Sequence, residues 1–442
     1  MTYADAERFL FRELRNYRNT GSVADAPADP TTGEGEVAPP RQYPTKARLL
    51  TFLAETGHPH AAPGVRYVHV AGTNGKGTVS HCVAAMARAA GLRVGLYTSP
   101  HYVEFRERVR IDGAMISEGE VVEFVARHRD RMLALKLSFF EATAALAFHA
   151  FAARGVEVAV LEVGLGGTWD ASNVITPLVS VVTNIDLEHT AELGPTRMHI
   201  AGEKAAVIKT GTPVVVGRRH PETDPVFEAT AAGLRARLVY ADEAIAPGTP
   251  LPPSELAGPF DDENLRVAIA TWRLAGEALG LSTAAVERGY PGLTRLSEQG
   301  YRGRFQLLSR SPLVLVDAGH NAAAWSRCVP HALAVWAAWR AERGDPPSRP
   351  FVVCGFKADK PVEQFFEYLP AGARVHVCQA SVLTDTPEAL LPHVPAAFAK
   401  TGHATVAAGL EEVLAEAGPD DFVFVGGSSY VVGDAIAYFA RR

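Results

Sequence analysis

Residues 66–78 read RYVHVAGTNGKGT, and this stretch decides the fold. An apolar run from Tyr67 to Val70 gives way to a glycine-rich turn carrying Lys76 and Thr78, and an alanine-rich segment follows. The pattern is strand, phosphate loop, helix. Glycines let backbone approach phosphate oxygens, and the helix N-terminus points N–H groups at them. Lys76 then supplies a point charge for the outer phosphates of ATP, and Thr78 a hydroxyl for Mg²⁺. The widespread form of this loop has its first glycine about six residues before the lysine and Ser or Thr directly after it. Here Val70 and Gly77 stand at those places, and the loop proper is Gly72-Thr73-Asn74-Gly75-Lys76-Gly77-Thr78.

Around the loop, apolar runs alternate with helical segments. VGLYT (94–98), VEVAVLEV (156–163) and LVSVVTNI (178–185) read as buried parallel strands, and 45–56 and 139–153 as helices. Ser117 and Glu120 form a capping box ahead of VVEFVARHRDRML. Residues 4–17 suggest an amphipathic helix, and 264–296 a long helical stretch. The segment 296–305 breaks the pattern. A second α/β set then follows, with strands at 312–319, 350–356, 374–380 and 421–427 and helices at 322–341, 360–368 and 430–441. The expected architecture is α/β: an N-terminal P-loop ATPase domain with a mostly parallel sheet (1–298), and a C-terminal Rossmann-like α/β domain (299–442). Residues 18–43, centred on PADPTTGEGEVAPP, have the composition of a mobile insertion.

A chain of 442 residues is long for one core, which agrees with two domains. The net charge of −6 argues against nucleic-acid binding driven by bulk charge, yet leaves room for a local basic funnel. The four cysteines are scattered in apolar stretches with no C-x-x-C pair, as expected of reduced, buried thiols. The start MTYADAERFLFRELRNY lacks the layout of a signal peptide, and no apolar run reaches membrane-spanning length. A cytoplasmic enzyme, monomeric by default, is the expectation.

A phosphate loop needs metal ligands, and in α/β sheets ligands bind at the carboxyl ends of strands. Ser99, Glu162 and His189 each follow or close a predicted strand. Hydroxyl and carboxylate oxygens suit Mg²⁺, whereas an imidazole fits a second site or Mn²⁺. Taken singly, Ser99 also fits a turn before Pro100, and His189 an ordinary polar residue.

Motifs in register give these residues context. The loop variant GTNGKGT, TSPHYVEFRERVRIDGAMIS (98–117), the segment from LEVGLGGTWDASN to TPVVVG (161–217), GRFQLL (303–308), VDAGHN (316–321), CGFKADK (354–360) and GGSSYVVGD (426–434) occur in one order. From about residue 44 onward the chain resembles the folylpolyglutamate synthase and dihydrofolate synthase family of the Mur ligase superfamily. The resemblance implies ATP-dependent joining of L-glutamate to dihydropteroate or to reduced folate. It assigns metal binding to Thr78, Ser99, Glu162 and His189, and carbamylation by CO₂ to Lys204, giving an anion for a second Mg²⁺. It places Asn264, Arg304 and Asp317 at the nucleotide, His320 in the active site, and Ser138 and Asp170 near the pterin-bearing substrate. An Asp can pair two pterin nitrogens through its two oxygens.

Some positions depart from the family pattern. Thr168-Trp169 replaces Arg-Leu, Phe260-Asp261 replaces His-Gln, and Gly202 stands where Arg usually precedes the Glu of the Lys204 helix. Rival readings are a Mur-type ligase acting on a UDP-sugar peptide, a P-loop switch or motor ATPase, and an ATP-binding module without catalysis. Gly77 and the TSPH segment weigh against the first, and Lys76, Glu162 and His189 against the last.

Overall fold

The computed structural model describes residues 1–14, 46–357, 360–382 and 384–442. The expected insertion at 18–43 lies outside the described residues. Two compact units form, one from 1–99, 108–253 and 263–299, the other from 100–107, 254–262 and 300–442.

The first unit is built on an eight-stranded sheet. Its strands are β1 (Arg66–Ala71), β2 (Val94–Tyr97), β3 (Val109–Ile111), β4 (Ala114–Met115), β5 (Val158–Glu162), β6 (Val179–Val182), β7 (Val214–Val216) and β8 (Leu238–Tyr240). The order is β4-β3-β2-β5-β1-β6-β7-β8. All pairs are parallel except those made by β3, whose hairpin with β4 closes one edge. The central strands carry almost no polar residues because both faces are covered. On one side lies the helix Phe139–Ala153, apolar nearly all round and buried along most of its length. Its N-cap Ser138 and Glu141 form a reciprocal capping box, and Arg48 pairs with Glu141 at 2.9 Å. The expected capping box at Ser117 and Glu120 is also present.

The second unit holds a six-stranded sheet. Its strands are β9 (Gln306–Arg310), β10 (Leu313–Val316), β11 (Pro350–Cys354), β12 (Arg374–Cys378), β13 (Ala399–His403) and β14 (Phe422–Gly426). The order is β13-β12-β11-β14-β10-β9, parallel but for β9. Alternate residues of each central strand serve different cores. Leu313, Leu315, Val352, Phe422 and Phe424 pack with Trp325 and Phe365, while Val314, Val316, Phe351, Val353, Val423 and Val425 pack with Leu410 and Val432.

Three helical expectations are shortened. The stretch 264–296 is not one helix: Asp261–Ala278 ends before Gly280, which is in the left-handed region, and a short helix Thr283–Glu287 and 3₁₀ turns follow. The helix expected at 360–368 is one turn, Glu363–Phe366. The N-terminal helix is Tyr3–Arg8, followed by a wider π-turn over Phe9–Glu13. All four cysteines are buried and unbridged. No helix among the described residues is long and apolar enough to cross a membrane.

Candidate active site around the phosphate loop

Parallel register brings the carboxyl ends of β5, β1 and β6 side by side: Glu162 lies opposite Val70, and Val182 opposite Ala71. The phosphate loop leaves β1 at this point. Gly72 has φ +143°, and a Cβ there would fall 1.8 Å from Thr183 Oγ1. Gly75, with φ +82°, has room only for hydrogen, because a Cβ would meet Asn264 Oδ1 at 2.2 Å. The two glycines thus let the loop lie against β6 and against Asn264.

The segment after β6 braces the loop. Asn184 accepts from Thr73 N through its carbonyl at 2.9 Å and from Asn74 N through Oδ1 at 2.8 Å. Thr183 Oγ1 donates to the Asn74 carbonyl at 2.6 Å, and Asp186 N donates to Thr73 Oγ1 at 3.0 Å. The helix Lys76–Ala89 starts directly from Gly75, so its first N–H groups face the loop. Lys76 Nζ donates to the carbonyls of Gly72 (3.0 Å) and Thr73 (2.9 Å).

Lys204 reaches the same place. Far from being a solvent-facing helix residue, it is buried, and its Nζ donates to the Gly72 carbonyl at 2.8 Å. Two ammonium groups therefore share one acceptor. Burial first, and then the Lys76 charge, push Lys204 down to about 7, against an opposing pull from Glu188, Asp170 and Glu203. Gly167 allows this approach, since a Cβ on it would stand 2.5 Å from the Glu203 carbonyl.

Of the sequence-predicted metal ligands, the structure brings Ser99 and Glu162 together. Ser99 N donates to Glu162 Oε2 at 2.9 Å, and both carboxylate oxygens lie 3.6 Å from where a Gly77 Cβ would be. Glu162 and Thr78 are both buried. Thr78, Ser99 and Glu162 thus offer an all-oxygen donor set beside the loop, which fits a hard divalent cation. His189 stands three residues past Asp186 in a left-handed conformation, with Glu188 and Glu192 3.9 and 4.0 Å from its ring nitrogens.

Asp170 differs from the expectation of a carboxylate open to a pterin. Its Oδ2 accepts from Gly164 N (2.9 Å) and Leu165 N (3.2 Å), and its Oδ1 accepts from Ser172 N (2.9 Å) and the Ser172 hydroxyl. Both oxygens are spent on clamping the loop 164–172. Ser138 likewise is engaged by Glu141, whose N–H it caps and whose Oε2 it reaches at 2.7 Å. The residues that sequence reasoning passed over lie beneath this loop. His69 Nε2 contacts Ser172 Oγ at 2.8 Å, Lys209 Nζ donates to Asn173 Oδ1 at 2.6 Å, and Lys46 Nζ donates to the Asn173 carbonyl at 2.8 Å. Burial, then Lys209 and Lys46, hold His69 down to about 3, so it stays neutral. A histidine inside the otherwise apolar run YVHVA was the available signal.

In the second unit, Asp317 Oδ1 accepts from Gly319 N (2.8 Å) and Oδ2 from Phe305 N (3.0 Å), fixing the turn that carries His320 and the strand entry next to Arg304. His320 Nδ1 lies 3.1 Å from the Ala318 carbonyl. A carbonyl only accepts, so Nδ1 carries a hydrogen and donates it. The replaced pair Phe260-Asp261 is held in the same unit: Arg327 stacks 4.1 Å over the Phe260 ring. Burial pushes Asp261 up to about 6, with the Asp317 charge adding to it and the Gly258 N–H opposing it.

Residues 70–223 match the model of the Mur ligase middle domain. A probable bifunctional folylpolyglutamate synthase/dihydropteroate synthase of Haloferax volcanii is 35% identical over 426 residues, which is 90% of this chain and 49% of that protein. The chain thus spans about half the length of this relative. The dihydrofolate synthase/folylpolyglutamate synthase of Escherichia coli is 32% identical over 412 residues, covering 89% of this chain and 91% of its own. The crystal structure of the Yersinia pestis bifunctional folylpolyglutamate synthase/dihydrofolate synthase complexed with AMPPNP and Mn ion superposes with a TM-score of 0.73 at 28% identity, covering 90% and 94% of the two chains. E. coli FolC in complex with DHPP and ADP gives 0.72 at 28% identity, covering 92% and 95%. With a relative above 30% identity matched almost end to end, the chain belongs to the folylpolyglutamate synthase/dihydrofolate synthase family of the Mur ligase superfamily.

Proposed function

We propose that this protein is an ATP-dependent amide ligase that adds L-glutamate to dihydropteroate and to reduced folate, releasing ADP and phosphate. The observation that carries the reading is the phosphate loop itself, where Lys76, Lys204, Asn264, Ser99 and Glu162 converge on the residues 72–78. The Escherichia coli relative that bears the name of this activity is matched over 91% of its length.

In this reading the substrate carboxylate attacks the γ-phosphate to give an acyl phosphate. The glutamate amine then attacks the acyl carbon, and phosphate leaves from the tetrahedral adduct. Lys76 exchanges its two carbonyl partners for phosphate oxygens and offsets the repulsion between two anions. Thr78, Ser99 and Glu162 would hold one Mg²⁺, and His189 with carbamylated Lys204 a second; bound metal would supply further charge neutralisation. Asn264, Arg304 and Asp317 serve the nucleotide, and Asp317 does so by fixing the backbone on either side of it. His320 takes the proton from the incoming ammonium at Nε2.

Carbamylation of Lys204 is the finer part of the proposal. The reaction needs a neutral amine, which attacks CO₂ and releases one proton. A lysine held near 7 supplies that amine at physiological pH, whereas an ordinary lysine does not. Conversion to an anion also relieves the repulsion between the two ammonium groups at the Gly72 carbonyl.

Asp170 acts on the pterin side by shaping the loop 164–172, and Ser138 by starting the helix beside it.

The deciding experiment is an assay with ATP and glutamate, run with dihydropteroate and tetrahydrofolate side by side and products resolved by mass. Glutamylated product from both is expected. Phosphate release without any amino acid points instead to a switch ATPase, and turnover only with a UDP-sugar peptide to a cell-wall ligase.

A further inference from the structure

The second unit contains a cluster that the ligase reaction does not use. His376 on β12 and His403 on the edge strand β13 meet edge to edge, with ring centroids 5.2 Å apart and planes inclined by 15°. Nδ1 of His376 stands 3.0 Å from Nε2 of His403. The rings are 3% and 8% exposed as residues, so the pair is shut away from bulk water. Glu412, on the helix Val406–Glu416, closes the group. Its Oε1 is 4.0 Å from His376 Nδ1 and its Oε2 is 3.9 Å from His403 Nδ1. The ligand atoms of all three residues fall within 4.8 Å of one another.

The fold sets this geometry up. Parallel register pairs Cys378 with His403, so His376, two residues before Cys378, faces the same side of the sheet as His403. Gly409 lets the helix come down onto these strands: a Cβ on it would stand 2.4 Å from Cys378 Sγ and 3.3 Å from the His403 ring. Glu412, one helical turn further on, is thereby carried over the imidazoles. Arg374, the nearby cation, is ion-paired with Glu416.

We propose that His376, His403 and Glu412 form a binding site for a divalent ion of the Zn²⁺ type, which clips the helix Val406–Glu416 to the edge of the sheet. Two imidazoles and a carboxylate are donors of borderline character, suited to Zn²⁺ and poorly suited to Mg²⁺. With Zn–N bonds of about 2.0–2.1 Å, tetrahedral ligands stand about 3.3 Å apart, so the facing nitrogens must separate by about 0.3 Å and the two rings turn until their in-plane lone pairs meet at the ion rather than at each other. The facing nitrogens share a single hydrogen in the neutral pair. Moving it to the far nitrogen of its own ring exposes both lone pairs without releasing a proton. Glu412 is more than half exposed and swings in from solvent, leaving the fourth position to water.

The test uses the full chain, freed of metal by dialysis against chelator and then kept in excess Mg²⁺ to occupy the hard oxygen site. Zn²⁺ alone is titrated by calorimetry, and Co²⁺ is added separately as an optical probe. One tight Zn²⁺ equivalent is expected, together with the visible absorption of four-coordinate Co²⁺ and a rise in Tm with Zn²⁺. Glu412→Gln and His403→Asn should each weaken Zn²⁺ by more than about tenfold and abolish the Zn²⁺-dependent Tm rise. Glu412→Gln changes an exposed side chain, so it reads the site even where a buried substitution unfolds the protein. Absence of Zn²⁺ binding in excess Mg²⁺, or binding unchanged by Glu412→Gln, overturns the proposal and leaves a buried histidine pair joined by a hydrogen bond.

Discussion

Two lysines on one carbonyl set the electrostatics of the site. Lys76 and Lys204 both donate to Gly72 O, an arrangement that is stable only while negative charge arrives or one amine stays neutral. Lys76→Ala should lower kcat by about a hundredfold or more, the usual scale for removing a group that meets charge formed in the transition state. Near-normal turnover would remove the loop from the chemistry. Lys204 gives a second prediction, whose sign follows from its depressed value. Between about 7 and 10.5 the unfolded chain holds a proton that the native amine does not. Unmodified protein should therefore gain stability as pH rises through this window, by up to about 1.4 kcal/mol per unit, and carry the full burden below it. Denaturant midpoints measured in CO₂-free buffer check this, with Lys204→Met as the reference: its midpoint should lack this slope. In activity, bicarbonate should restore CO₂-stripped enzyme, and a bicarbonate-insensitive enzyme would count against carbamylation.

At the scale of elements, the phosphate loop depends on backbone that only glycine permits. Gly72→Ala puts a methyl 1.8 Å from Thr183 Oγ1 at φ +143°, so loop and β6 must part. Loss of nucleotide binding is expected with far-UV circular dichroism retained; normal ATP affinity would show that the loop rearranges at little cost. The helix Phe139–Ala153 offers a different contrast. Ser138→Ala removes a cap and should cost about 1 kcal/mol in stability while leaving KM for the folate substrate within a few-fold. A large rise in KM at unchanged stability would instead make Ser138 a substrate contact. Elements were legible in proportion to burial. VHVA, VAVLE, VSVV, LVLV and FVFV announce β1, β5, β6, β10 and β14, because strands covered on both faces need apolar residues at every position. The edges were not: QLLSR in β9 and AKTGH in β13 carry polar side chains toward solvent, and the two-residue β4 has no periodicity to detect. The site shows the same divide. The glycines, Lys76 and Glu162 declare themselves by position at strand ends, whereas Lys204, His69 and Lys209 matter through burial and partners that only the tertiary structure supplies.

Across the whole molecule the net charge of −6 is modest, so pH sensitivity should come from particular buried groups rather than from general repulsion. His69 and His149 in the first unit and His376 in the second are such groups. Burial holds His69 to about 3, His149 to about 4 and His376 to about 4, with neighbouring charges of the same sign adding to each. Their ordinary value is about 6.5, so between 6.5 and 4 the unfolded chain takes up protons that the native chain refuses. Stability must then fall as pH drops through this window and level off below it, each group contributing up to about 1.4 kcal/mol per unit. Thermal melts from pH 7.5 down to 5 should show Tm falling steadily. His149→Gln should flatten part of the slope, because glutamine can keep the hydrogen bond that His149 Nε2 makes with Thr56 Oγ1 at 3.1 Å without any proton to gain. A Tm that stays level to pH 5, or a slope that His149→Gln leaves unchanged, would mean that His149 finds a charged state the native packing tolerates.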